Sequence, residues 1–190
     1  MIWVCCASGP SLNKSDIDYC KSKGYKIAVA NNAYQLCPDA DILLASDTAW
    51  WKEYAFHVSN NFTGKEKWTL SSSAARNYKL NLVETNPKRF QGLSDAPLIS
   101  NNMITGARLI NLVMHREPSA ILLLGYDMNK TDDKVHFFGD HPPHMNNFPH
   151  MENFIPIFDA IAKDSKIPIY NCNKNSAITA FDKVNLYDRF

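Results

Sequence analysis

The chain has 190 residues, a length at which one hydrophobic core serves a single domain, so two large domains are excluded. Apolar residues make up 45% of it and charged residues 21%, which excludes a disordered chain and a coiled coil. Twenty lysines and arginines against nineteen aspartates and glutamates leave a formal net charge of +1. Such a chain has no overall field that attracts nucleic acid or an anionic membrane, so neither is expected as a partner.

The first residues and the cysteines indicate a cytoplasmic protein. The opening Met-Ile-Trp-Val-Cys-Cys run has no basic residues before it and is too short for a signal peptide or a spanning helix. The five cysteines are an odd number without C-x-x-C spacing, which favours neither a disulfide framework nor a zinc ribbon. We expect reduced, mostly buried thiols.

Short apolar runs alternate with helix-length segments along the chain. The predicted strands are residues 2–7, 26–30, 42–45, 81–84, 120–125 and 167–172. The predicted helices are 15–24 with Ser15 at its start, one after Asp47, one from the cap Thr105 to Arg116, and 151–162. Continuous apolar strands between helices are typical of a parallel sheet covered on both faces. The sequence therefore predicts an α/β, Rossmann-like three-layer sandwich with a mostly parallel sheet, forming a single nucleotide-binding domain over residues 1–190.

The segment 127–149 shows no periodic pattern. A loop of this length in a compact domain is usually functional. We expect it to be a lid.

A candidate phosphate loop follows the first strand. Ser8, Gly9, Pro10 and Ser11 lie between that strand and a predicted helix, where backbone N–H groups and a helix N-terminus can hold a phosphate. Gly9 permits close approach. Neither G-x-G-x-x-G nor G-x-x-x-x-G-K-[ST] is present, so an ordinary NAD site or P-loop kinase is poorly supported. A simple βα turn is the alternative interpretation.

Polar residues also follow the second and third predicted strands. Asn31, Asn32 and Asp47 stand at their carboxyl ends, where ligands of open α/β sheets bind. Asparagine suits recognition of a nucleobase or ribose. The alternative is that these side chains cap the helices that follow.

Four of the six histidines lie in or beside the predicted lid: His136, His141, His144 and His150. An imidazole can act as a general base, a phosphate partner or a metal ligand. The spacing lacks H-x-x-x-H and H-E-x-x-H regularity, so no metal ligand is assigned. His136 and His141 are favoured for catalysis because a His-Pro turn fixes the backbone near Asp127. Solvated surface histidines are the alternative.

Together, the motifs S-G-P-S-L, A-N-N-A-Y, L-L-G-Y-D-M and G-D-H-P resemble those of a bacteriophage and prophage protein family. That family is similar to the Rossmann-like superfamily of the bacterial sialyltransferases and the archaeal 6-hydroxymethylpterin pyrophosphokinase, which share a G-x-G-P-S loop. Ala7 stands here at the first glycine of that loop. The resemblance covers most of the chain.

The resemblance implies a role for each group of candidate residues. Ser8, Gly9, Pro10 and Ser11 would hold the donor phosphates, Asn31 and Asn32 would contact the nucleoside, and Thr105 and Gly106 would complete the pocket. Asp127 would lie beside the donor, and a loop histidine would act as the general base.

We therefore expect a nucleotide-donor-dependent transferase of phage origin that moves a sugar or a pyrophosphoryl group. His136 or His141 would remove the acceptor proton. For pyrophosphoryl transfer the loop would hold ATP, and Asp47 or Asp127 would carry Mg²⁺; no other cofactor is expected. The expected partner is a nucleotide or nucleotide sugar, and a homo-oligomer stays open. A non-catalytic nucleotide-sequestering protein and an interaction module are the alternatives.

Overall fold

Eight strands, all parallel, form one sheet in the computed structural model of the chain, within the described residues 1–130, 133–145 and 150–190. The strands are β1 Ile2–Cys6, β2 Lys26–Ala30, β3 Ile42–Leu44, β4 Glu66–Thr69, β5 Asn81–Leu82, β6 Ala120–Leu124, β7 Ile169–Asn171 and β8 Asp182–Lys183. Their order in the sheet is β5-β4-β3-β2-β1-β6-β7-β8. The chain winds outward from β1 to β5 and crosses back to β6, so the strand order reverses between β1 and β6.

Helices cover both faces of this sheet. They are α1 Lys14–Ser22, α2 Thr48–Asn61, α3 Ser72–Tyr78, α4 Thr105–Met114, α5 Ile155–Asp164 and α6 Leu186–Arg189, with 3₁₀ turns at Asn31–Gln35 and Met151–Phe154. Because side chains alternate along a strand, Trp3 and Cys5 join the core beneath α4 and α5. Val4 and Cys6 join the second core, beneath α1, α2 and α3. The predicted three-layer α/β class is confirmed.

Two predicted helix starts are wrong. Asn13, not Ser15, caps α1: its Oδ1 accepts a 2.9 Å hydrogen bond from the N–H of Asp16. Thr105 is the first residue inside α4 rather than its cap, and its hydroxyl donates to Ser46 Oγ at 3.0 Å. The cap position is Ile104, which has no side chain able to bond the first N–H groups.

The thiols are unpaired, as expected. Cys5, Cys6, Cys20 and Cys37 are buried and Cys172 is half-buried, with no disulfide among them. Burial raises the pKa of Cys172 to about 12 and that of Cys37 to about 11. Low thiolate content makes both thiols poor nucleophiles at neutral pH. In the described part of the chain, no helix combines the length and apolarity needed to cross a bilayer.

The loops after β1 and β6 approach each other very closely. The N–H of Gly9 donates to the carbonyl of Gly125 at 2.9 Å. Gly125 has φ +70°, and a Cβ there would lie 2.4 Å from the carbonyl oxygen of Ala7. A Cβ on Gly9 would lie 2.4 Å from the carbonyl oxygen of Gly125 and 2.1 Å from Asp127 Oδ2. Glycine is therefore required at both positions by backbone contact, and at Gly125 also by conformation.

Replacing Gly125 by alanine should destabilise the fold much more than the same change at Gly24. Gly24 has nearly the same φ, +73°, but no atom lies within 4 Å of its added Cβ. We expect Gly24→Ala to lower the free energy of unfolding by about 1 kcal/mol, the strain of a left-handed residue alone. Gly125→Ala should cost about 3 kcal/mol because overpacking adds to that strain. Equal losses in urea denaturation would contradict the observed contact.

Candidate functional site

A cleft lies at the carboxyl edge of the sheet, where the strand order reverses between β1 and β6. It encloses about 160 Å³, whereas one water needs roughly 10–15 Å³, so the space suits an organic ligand. Reversal points of this kind are the usual ligand sites of open α/β sheets. Nine predicted site residues line it: Ser8, Gly9, Asn31, Asp47, Thr105, Gly106, Asp127, His136 and His141. Pro10, Ser11 and Asn32 lie outside its lining.

The Ser8–Ser11 loop uses most of its amides internally. The Gly9 N–H bonds the Gly125 carbonyl, and the Ser11 N–H donates to Asp127 Oδ1 at 3.1 Å. Pro10 has no N–H. The Ser8 hydroxyl donates to the carbonyl of Ala30 at 3.3 Å, while the Ser8 N–H has no partner among the described residues. A phosphate at this loop would therefore meet Ser8, and phosphate binding by the other three residues stays a prediction.

Asp127 fixes that loop. Its buried carboxylate accepts from the Ser11 hydroxyl at 2.8 Å as well as from the Ser11 N–H. Asn173 Nδ2 donates to the same carboxylate at 2.9 Å. Burial raises the pKa of Asp127, and the bonds from Ser11 oppose that rise. Both carboxylate oxygens are thus engaged within the protein, and a catalytic role for Asp127 stays a prediction.

The segment after β7 holds the backbone at Tyr126 and Asp127 in place. The Ser176 hydroxyl donates to the carbonyl of Tyr126 at 2.6 Å, and the Ala177 N–H donates to the carbonyl of Asp127 at 2.8 Å. Sequence reasoning missed Asn173 and Ser176 as part of the site. The signal available was the polar Asn-Lys-Asn-Ser run, residues 173–176, that follows the last predicted strand.

The two asparagines after β2 have different surroundings. Asn31 lines the cleft with φ +49°, and its buried Oδ1 has no hydrogen-bond partner among the described residues. A left-handed non-glycine residue and an unpaired buried acceptor each carry a free-energy cost, and such features concentrate at functional sites. Asn32 is buried beside the cleft, where its Oδ1 accepts from the indole N–H of Trp50 at 2.7 Å. Its side chain holds α2 in place.

The N-terminus of α4 faces the cleft through Thr105 and Gly106. Its first N–H groups lack a side-chain cap, so they and the helix dipole are available to an anion. A Cβ on Gly106 would lie 3.3 Å from the ring of Tyr126, so a small residue is needed here. Asp47, which precedes α2, brings an exposed carboxylate to the opposite side.

His136 and His141 lie together beside the Ser8–Ser11 loop. Their ring centroids are 5.0 Å apart, and His136 stacks on Phe138. The neighbouring Phe137 N–H donates to the carbonyl of Ser8 at 3.1 Å. Burial, assisted by the nearby His141, lowers the pKa of His136 to about 4, and burial also lowers the pKa of His141. Both imidazoles are therefore neutral at pH 7 and able to accept a proton.

The remaining loop histidines lie on the surface. His144 Nε2 lies 3.1 Å from Glu53, and His150 Nδ1 lies 3.3 Å from Glu152. Of the predicted lid, residues 131, 132 and 146–149 lie outside the described residues, and its motion stays a prediction. In the part of the chain that the structure describes, no three histidine, cysteine or acidic side chains are grouped closely enough to hold a metal ion.

One wall of the cleft is apolar, and sequence reasoning missed it. Its side chains are Met103, Ile104, Met128, Met151, Phe154 and Phe158. They come from the loop before α4, the turn after β6 and the segment that starts α5. Lysine and arginine are absent from the described residues that line the cleft. The site therefore combines a polar wall without cations and an apolar wall.

Solved structures of a sialyltransferase share this fold, although no protein family model and no curated protein sequence matches the chain. CstII from Campylobacter jejuni, in complex with the substrate analogue CMP-3FNeuAc, gives a TM-score of 0.60 at 12% identity, covering 96% of this chain and 85% of that one. A tyrosine-to-phenylalanine variant of the sialyltransferase CST-II with CMP gives 0.64 at 12% identity, covering 100% and 89%. CST-II with a trisaccharide acceptor and CMP gives 0.61 at 12% identity, with the same coverage. The likeness extends over nearly the whole chain and shows a Rossmann-like α/β fold.

Acid should destabilise the protein through His136. Its pKa is about 4 when folded and near 6.5 when unfolded, so the unfolded chain binds the extra proton between these values. Stability is therefore complete above about pH 6.5 and falls towards pH 4, by about 1.4 kcal/mol per pH unit at most for one proton. We expect His136→Gln to flatten this slope in urea denaturation. His150→Gln, at an exposed position, should keep the wild-type slope; identical slopes for all three proteins would contradict the burial of His136.

Proposed function

We propose that this protein is a glycosyltransferase-like enzyme that binds a nucleotide sugar in the cleft between β1, β6 and α4. The observation that carries the proposal is Asn31, with its left-handed backbone and unpaired buried Oδ1 at the cleft. The shared fold supports it, because the neighbouring sialyltransferase structures hold CMP or a CMP sugar analogue. Phage origin and a cytoplasmic location remain part of the proposal.

Asn31 is suited to the nucleoside. A buried carbonyl oxygen without a donor costs about 1–3 kcal/mol, which a ligand N–H would restore. The exocyclic amine of cytosine or adenine offers such a donor, whereas a ligand without one would leave the oxygen unpaired. The strained backbone at Asn31 holds the amide at the cleft before the ligand arrives, so little ordering is needed on binding.

The phosphate would lie at the N-terminus of α4. The uncapped N–H groups there point along the helix axis to the cleft, and the helix dipole adds a partial positive charge of about half a unit. The N–H of Ser8 is a further donor on the facing loop. These neutral donors take the place of lysine or arginine, which the described lining lacks.

The imidazole pair would supply the proton transfer. In the proposed step the acceptor oxygen forms a bond to the anomeric carbon, and the bond from that carbon to the donor phosphate oxygen breaks. The imidazole takes the proton of the acceptor hydroxyl, and the electron pair of the broken bond leaves with the nucleotide. His141 is the preferred base, since burial lowers the pKa of His136 to about 4, well below neutral pH.

Two other functions fit the same cleft. Pyrophosphoryl transfer would require Mg²⁺, for which Asp47 is the exposed carboxylate at the cleft. A nucleotide-sequestering protein would use the same binding contacts without the proton transfer.

Removing the Asn31 amide should weaken nucleotide binding without loss of fold. Glycine accepts φ +49° without strain, so Asn31→Gly deletes the side chain alone. We expect calorimetry to show CMP binding to the wild type and about tenfold weaker binding to Asn31→Gly, the value of one buried hydrogen bond. Glu117→Gly is the matched control, because Glu117 has φ +50° on the surface away from the cleft. Equal CMP affinities for the wild type and Asn31→Gly would refute this role.

Replacing a cleft histidine should lower the reaction rate and leave the affinity for the nucleotide nearly unchanged. We expect His141→Gln to slow the release of CMP from a CMP-sugar donor by about 10²–10⁴-fold, with CMP affinity nearly unchanged. His150→Gln should react as the wild type does. Glycosyl transfer should continue in EDTA, whereas loss of activity there would favour pyrophosphoryl transfer. CMP binding without turnover in any of these proteins would favour the sequestering function.

A further inference from the structure

The apolar wall of the cleft has no role in holding a nucleotide phosphate. Three of the six methionines in the chain, Met103, Met128 and Met151, meet there from three separate segments. Phe154 and Phe158 extend the same wall. Methionine is unbranched and polarizable, so such a wall adapts to an apolar or aromatic surface. A charged or polyhydroxylated group placed against it would lose hydration without gaining hydrogen bonds.

The apolar wall continues to the mouth of the cleft. Met103 is 51% exposed and Phe90 is 59% exposed. The N–H of Asn102, the residue before Met103, donates to the carbonyl of Phe90 at 2.9 Å, which fixes the backbone there. Because Met103 both lines the cleft and is half-exposed, the apolar wall reaches solvent at this residue.

The backbone that presents Met103 is strained. Asn102 and Met103 have φ +46° and +38° in succession. Asn102 is held there by its Nδ2, which donates to the carbonyl of Gly92 at 2.7 Å, and Arg108 Nε donates to the carbonyl of Asn101 at 2.6 Å. Two consecutive left-handed residues cost several times RT, and the surrounding bonds maintain them. This strain lowers the stability of the fold, and it places an apolar side chain at the mouth of the cleft.

We propose that the acceptor carries a hydrocarbon group, alkyl or aryl, that lies along the wall formed by Met103, Met128, Met151 and Phe154. This inference rests on the proposed function, because the hydroxyl of the same molecule would then face the imidazoles and the donor. The polar wall orders the reacting groups, and the apolar wall selects the remainder of the acceptor. Hydrocarbon burial supplies affinity that a cleft without cations cannot obtain from charge.

Calorimetry on the full chain saturated with CMP tests this with methyl, phenyl and octyl β-D-glucosides, the last below its micelle concentration. We expect phenyl or octyl glucoside to bind at least about tenfold more tightly than methyl glucoside, since six or more carbons leave water. The phenyl and octyl arms distinguish an aromatic from an aliphatic group. Met103→Gln and Met151→Gln keep the side-chain length, and each should reduce this preference about fivefold. Phe56→Gln, a change at a residue that is 83% exposed outside the cleft, should leave it unchanged.

Equal binding of the three glucosides to a protein that binds CMP would overturn the inference and leave the proposed function intact. A preference that survives both methionine substitutions would also overturn it, because the hydrocarbon would then lie elsewhere. If the preference and its loss in Met151→Gln are seen without CMP in a protein that does not bind CMP, the apolar site stands and the donor proposal fails. In a further outcome, the protein prefers no glucoside and self-associates as its concentration rises. If Met103→Gln then abolishes that association, the wall binds a second copy of the chain and the inference is overturned.

Discussion

The architecture of the cleft depends on one buried carboxylate. Asp127, at the end of β6, accepts hydrogen bonds from Ser11 after β1 and from Asn173 after β7. Three neighbouring strand ends are thereby tied together at the point where the sheet reverses direction. The tie forms only because Gly9 and Gly125 lack side chains and let the two loops approach to backbone contact. A charge buried with three donors is tolerated, whereas the same charge without them would be strongly destabilising.

The hydrogen bonds to Asp127 also determine which polar groups remain available to a ligand. The amides of Gly9 and Ser11 are used to close the loop, so the loop that resembles a phosphate cradle serves mainly to shape the cleft. The groups not used in this way are the N–H of Ser8, the uncapped start of α4 and the unpaired Oδ1 of Asn31. Most of the polar groups that the proposed function uses therefore lie around the loop rather than in it.

The sequence predicted six of the eight described strands: five are mostly buried apolar runs between turn residues, and the sixth, β5, is two exposed residues followed by the buried Val83. It missed β4, whose residues are mostly half-buried, and β8, which is two exposed residues long; neither has an apolar pattern to detect. Local capping was misassigned because Asn13, Ser15 and Asp16 can all begin a helix, and only the folded geometry selects one. Strand ends did predict where polar residues would converge, since parallel strands share a carboxyl edge. The methionine wall could not be predicted, because methionine in sequence is indistinguishable from ordinary core.

The charges at the cleft determine how much of a ligand's affinity the polar wall and the apolar wall can each supply. Asp47 presents a carboxylate to any anion, while the described residues that line the cleft offer an anion N–H groups and the partial charge of α4. Partial charges at a solvent-open cleft contribute on the order of 1 kcal/mol, too little to hold a nucleotide sugar. If the proposed ligand binds here, the larger share of its affinity would come from pairing the buried oxygen of Asn31 and from covering the thioethers. Recognition would then depend on the base and on hydrocarbon, with the phosphate oriented by the helix rather than captured by charge.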